Sequence, residues 1–114
     1  MPQNRNKLIG LFISNISNAV IHEILEKAID AEDTIIKYQK EIKNSFEIAK
    51  AYRSRINPVE YPLPSRDIEE IRRGVINKVK KELNSRISKG YKNINLNSVE
   101  EVVDKFLREM KICE

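Results

Sequence analysis

The chain has 114 residues, enough for one domain that buries roughly two thirds of the surface its unfolded form would expose. A third of those residues are charged, the net charge is +4, aromatics are sparse and tryptophan is absent, so the composition is that of a soluble helical protein with a heavily solvated surface. The single cysteine, Cys113, excludes an intrachain disulfide and a cysteine-based metal site.

Arg5 and Lys7 precede an apolar run from Leu8 to Ile13, as at the start of a signal peptide. That run passes into Ser14, Asn15, Ser17 and Asn18, offers no small-residue cleavage site, and falls far short of the ~20 apolar residues of a membrane span. A cytoplasmic protein without membrane association is the expectation. Ile9, Ile13, Ile16, Val20, Ile24 and Ala28 then advance mostly by fours.

No glycine or proline occurs from Leu11 to Asn57. Ile21, Ile24, Ala28, Ala31, Ile35, Tyr38, Ile42, Ser45, Ala49, Tyr52 and Ile56 follow one another by threes and fours, the seam of a helix seeking a partner. The spacing predicts a long N-terminal helix over about 5–57, with one candidate break at 30–34, where Asp30 has the position of an N-cap. Agreement of the hydrophobic phase on both sides favours continuity. A continuous helix from Ile21 to Ile56 would span ~54 Å, against a radius of gyration near ~13 Å for a compact chain of this size. A second chain would then have to cover part of it, which predicts a coiled-coil homodimer or membership of a larger complex. Leu8, Phe12, Ile35, Ile42 and Ala49 are the candidate interface residues.

Pro58, Pro62 and Pro64 end this helix in an extended connector whose Val59, Tyr61 and Leu63 are expected to pack inward. Ser65 is placed to cap a helix over about 66–89, with Ile68, Ile71, Val75, Val79, Leu83 and Ile87 on its apolar face and Gly90 as its stop. Ser98-Val99-Glu100-Glu101 has capping-box spacing and opens a short helix over about 98–111. Every helix needs the others to bury its stripe, so residues 1–114 are expected to form one all-α helical bundle.

Residues for catalysis are scarce. There is no phosphate-binding glycine loop and only one histidine, His22. His22, Glu26, Asp30 and Asp33 share a face of a continuous helix, but the Glu-x-x-His spacing of di-iron bundles is absent, and the face reads as a solvated acidic surface. Glu23-Ile24-Leu25-Glu26 and Glu101-Val102-Val103-Asp104 carry the residue types of MazG-type pyrophosphohydrolases, yet stand too far apart in sequence for that family's motif. Neither a cofactor nor a metal is expected.

What remains is charge. After Ile71, Arg72, Arg73, Lys78, Lys80, Lys81, Arg86 and Lys89 face only Glu82. Clustered cations of this density suit salt-sensitive phosphate contact, with Arg73, Lys80 and Lys81 as candidate nucleic-acid contacts. The sequence therefore predicts a non-enzymatic helical interaction protein that self-associates, with a nucleic-acid-binding module as the alternative.

Overall fold

A computed structural model of the chain describes residues 5–29, 31–57 and 63–112. Four α-helices build the expected all-α bundle: α1 (Arg5–Lys27), α2 (Glu32–Ile56), α3 (Ser65–Ser88) and α4 (Val99–Glu109), the last preceded by a 3-10 turn over Leu96–Ser98. No strand occurs among the described residues.

α1 and α2 form a hairpin, not the continuous helix that the hydrophobic phase favours. α1 ends at Lys27 and α2 starts at Glu32, so the break overlaps the candidate at 30–34; Asp30 itself is outside the described residues. There α1 tightens, Ala28 N–H donating to Leu25 O at 3.0 Å and Ile29 N–H to Glu26 O at 3.4 Å. Ala31 is extended, and Glu32 and Asp33 then occupy the first turn of α2, where acids suit the helix dipole. Phase agreement is a poor guide here because a hairpin requires only that each arm carry a stripe and that the stripes face each other. They do: Asn18 bonds Ser45, His22 packs on Tyr38 and Glu26 accepts from Gln39, the order of antiparallel neighbours. The longest dimension is 44 Å and the radius of gyration 14.5 Å, so the chain covers its own stripe by folding back.

From the end of α2 the chain returns to start α3 beside the start of α1. The two helices run parallel, Arg5 pairing with Asp67, and Lys78 with Ser14. A Cβ on Gly74 would stand 3.1 Å from Ile13 Cδ1, so this glycine lets α3 approach α1 closely. α3 begins one residue earlier than expected, with Pro64 at its N-cap and no side-chain cap. It ends as predicted at Gly90, whose φ is +101°, with Gly90 N–H bonded to Ile87 O and Tyr91 N–H to Arg86 O. α4 runs back along α3, Lys80 lying near Glu100 and Arg72 forking onto Asp104 at 2.8 and 3.3 Å. Ser98 makes no cap bond to α4; its hydroxyl donates to Asn95 O.

α1 is central. It packs against α2, α3 and α4, and buries Leu8, Ile9, Phe12, Ile16, Ala19, Val20, Ile21, Ile24 and Leu25. By length and composition it is apolar enough to cross a membrane, and 56% of that apolar window is buried inside the bundle. α2 packs mainly on α1, fully burying only Ser45, Ala49, Arg53 and Ile56.

Arg53 is the most unusual of these. Only 1% of it is exposed, and burial holds its pKa below the ordinary arginine value. Its guanidinium donates to Met110 O at 3.1 Å, Lys111 O at 3.2 Å, Asn57 O at 3.3 Å and Asn57 Oδ1 at 2.6 Å. The cation thus sits at the C-terminal ends of α2 and α4, where their dipoles are negative. Replacing it with methionine should destabilise the fold by about 1–3 kcal/mol or more, because carbonyls it serves lose their donors. Urea denaturation measures this, and Arg53→Lys should recover less than half of the loss, since an ammonium cannot reproduce the planar fork.

Candidate functional site

Between α1 and α3 lies an open trough of about 410 Å³. α1 contributes Ser14, Ser17, Asn18, Ile21 and His22, and α3 contributes Lys78, Lys81, Glu82, Ser85 and Arg86. The spacing explains the convergence. Ser14, Ser17, Asn18 and Ile21 fall at steps of three, one and three, and Lys78, Lys81 and Ser85 at three and four, so each set occupies one helix face. The parallel packing of α1 and α3 then sets a stripe of hydroxyl and amide groups against a stripe of cations.

The polar atoms are differently engaged. Lys78 Nζ donates to Ser14 Oγ at 3.0 Å. Asn18 Nδ2 donates to Ser45 Oγ at 2.6 Å, which fixes the amide against α2 and leaves its second N–H for another acceptor. His22 Nδ1 lies 2.8 Å from Asn18 O, so this nitrogen carries the proton, and the ring meets Tyr38 edge-on at 5.3 Å. Glu82, the only acid lining the trough, is paired with Arg86 at 3.1 Å. Arg86 also stacks on Tyr91, 5.4 Å from the ring centre. Lys81 is exposed and makes no ion pair among the described residues.

Ser17 stands apart. It is 1% exposed, and its hydroxyl has no hydrogen-bond partner among the described residues. A serine in a helix ordinarily bonds back to the carbonyl four residues earlier, and a buried hydroxyl without any partner costs roughly 1–3 kcal/mol.

The basic residues singled out from the sequence divide among three settings. Lys81 lines the trough. Arg73 is exposed in a second hollow, between α3 and α4, with Glu69, Arg72, Ile76, Asn77 and Glu100. Lys80 lies between them, 3.9 Å from Glu100. Of the candidate interface residues, Leu8, Phe12 and Ala49 are buried in the chain's own core, Ile42 packs half-buried against it, and Ile35 is half-buried. The acidic face considered for a metal is divided by the break: His22 and Glu26 are on α1, Asp33 is on α2, and Asp30 lies outside the described residues, as does Cys113. Among the described residues, no three histidines, cysteines or carboxylates are grouped to hold a metal ion.

Sequence reasoning named Ser14, Ser17 and Asn18 only as the polar end of an apolar run, and made no use of Ser85. The available signal was four polar residues clustered over one turn of an otherwise apolar helix. Set against known protein families, curated proteins and solved structures, the chain matches none of them.

The orphan hydroxyl yields a direct expectation. Ser17→Ala removes a buried unpaired group and installs a better helix former, so stability should stay level or rise by up to about 1–2 kcal/mol. Thermal and urea unfolding measure it; a marked loss would mean that the hydroxyl is paired in solution.

Proposed function

We propose that this protein is a non-enzymatic helical binding module that holds nucleic acid by its phosphates, using the solvent face of α3. The observation that carries this reading is the concentration of cations on that face. Arg73, Lys78 and Lys81 are exposed over two and a half turns, and Glu82, the one acid after Ile71 on the helix, is already tied to Arg86. Arg72 and Lys80 spend part of their charge on Asp104 and Glu100 of α4. Arg73, Lys78 and Lys81 suit contact with about three phosphates. Such contact is electrostatic and indifferent to sequence, because nothing on the face matches the donor pattern of particular base edges.

Fluorescence anisotropy with a labelled single-stranded oligonucleotide tests this across a salt series. The logarithm of the affinity should fall against the logarithm of salt concentration with a slope of roughly −2 to −3. Arg73→Gln should weaken binding and flatten that slope by about 1. Absence of binding at low salt, or binding insensitive to salt, would contradict the reading.

Self-association is the second reading, and α2 favours it. Ile36 and Ile48 are each 47% exposed on this helix, while Ile35, Tyr38 and Ile42 are only half-buried. A dimer would bury these edges. Light scattering at micromolar concentration should then give twice the 13.3 kDa chain mass, reverting to one copy in the Ile36→Lys, Ile48→Lys double variant. A single-copy mass for the unaltered chain removes this reading.

A further inference from the structure

We propose that the trough between α1 and α3 binds a terminal phosphate, the dianionic phosphomonoester at the 5′ end of a nucleic-acid strand or on a free nucleotide. This deepens the phosphate-binding reading and rests on it in taking Lys78 and Lys81 as phosphate contacts.

The donors in the trough outnumber the unbridged oxygens of an internal phosphate and converge from two helices. A phosphodiester offers two unbridged oxygens and is flanked by chain on both sides, so it meets a cationic face from above. A phosphomonoester offers three and enters end-on. The trough presents the ammonium groups of Lys78 and Lys81, the spare N–H of Asn18 and the hydroxyl of Ser14, and Ser17 stands in its lining with its hydroxyl covered. Ser14 accepts from Lys78, so its own proton is free to be given. Ser17 has the same capacity and, among the described residues, no partner to use it on; its oxygen is covered in the free chain and is reached as the side chains over it move aside. A phosphate oxygen supplies the missing acceptor. The net charge of the lining agrees, for Lys78 and Lys81 remain after Arg86 and Glu82 neutralise each other. A monoester carries about −1.5 to −2 at pH 7 and so matches two cations. The volume of about 410 Å³ leaves room beside the phosphate for a sugar, and Ile21 gives it an apolar wall.

Three probes test the assignment on the 114-residue chain: a 5′-phosphorylated single-stranded oligonucleotide, the same strand with a 5′ hydroxyl, and a nucleoside 5′-monophosphate with its parent nucleoside as control. The phosphorylated strand should bind about tenfold more tightly than its hydroxyl twin, the gain expected from one charge-assisted hydrogen bond. Ser17→Ala should collapse that ratio, while Arg73→Gln, outside the trough, should weaken both strands and preserve it. Displacement of the phosphorylated strand by the nucleoside monophosphate, but not by the nucleoside, identifies a phosphate accepted from either source. A retained tenfold ratio without displacement assigns the site to strand ends. Equal affinity for the two strands overturns the terminal-phosphate site and leaves the general phosphate reading standing. If neither strand binds, the general reading falls, and calorimetry with the nucleoside monophosphate decides the trough by itself: heat that disappears in Ser17→Ala sustains it, and no heat ends it.

Discussion

Everything in this fold leans on α1. It is the one helix that packs substantially on each of the other three, so most of its surface has to be apolar or small. Each fully buried Val, Leu, Ile or Phe contributes about 1.5–3 kcal/mol, and such residues fill the helix from Leu8 to Leu25. A polar side chain in such a helix costs stability unless something satisfies it. Asn15 satisfies itself by donating to the Leu11 carbonyl, Asn18 reaches Ser45 on α2, and Ser14 receives Lys78 from α3. The Ser17 hydroxyl, on the side of α1 that helps to form the trough, finds no partner among the described residues. The polar turn in the middle of the central helix is therefore where structural demands relax and a ligand has something to bind.

The position of α3 follows from the hairpin. Because α2 returns along α1, α3 starts near the beginning of α1 and runs parallel to it, with Gly74 against Ile13. That direction sets the cation stripe of α3 beside the polar turn of α1. α4 then takes up Arg72 and Lys80 on the far side, through Asp104 and Glu100. It is anchored to α2 by Arg53, whose guanidinium closes the ends of both helices. The division of cations between internal ion pairs and solvent is thus a consequence of which neighbour each face of α3 acquires.

Much of the architecture was legible in the sequence because helix faces and helix stops are local. Gly90 ends α3 through its positive φ, and the apolar spacing of α3 and α4 places their boundaries within a residue or two. The hairpin was not settled by the same logic. A stripe records that a residue faces a partner, not whether the partner is another chain or the preceding helix, and Leu8, Phe12 and Ala49 face inward. The clash between a ~54 Å helix and a small chain was the better clue, and folding back resolves it without a second copy. Arg53 left no readable signal, since its role depends on carbonyls 57 and 58 residues away. The trough was half visible. Lys81 belongs to an obvious cluster, but its apposition to Ser14, Ser17 and Asn18 needs the α1 to α3 packing, which joins residues more than sixty positions apart.

The central claim is that the polar turn of α1 and the cation stripe of α3 act as one site for phosphate. Chemical-shift mapping of the isotope-labelled protein during titration with a short 5′-phosphorylated oligonucleotide tests it most directly. The account predicts saturable shifts at the amides of Ser14, Ser17, Asn18, Lys78 and Lys81, with the amides around Arg53, Met110 and Lys111 unmoved. Shifts confined to the outer face of α2, or spread evenly over every lysine and arginine, would contradict it.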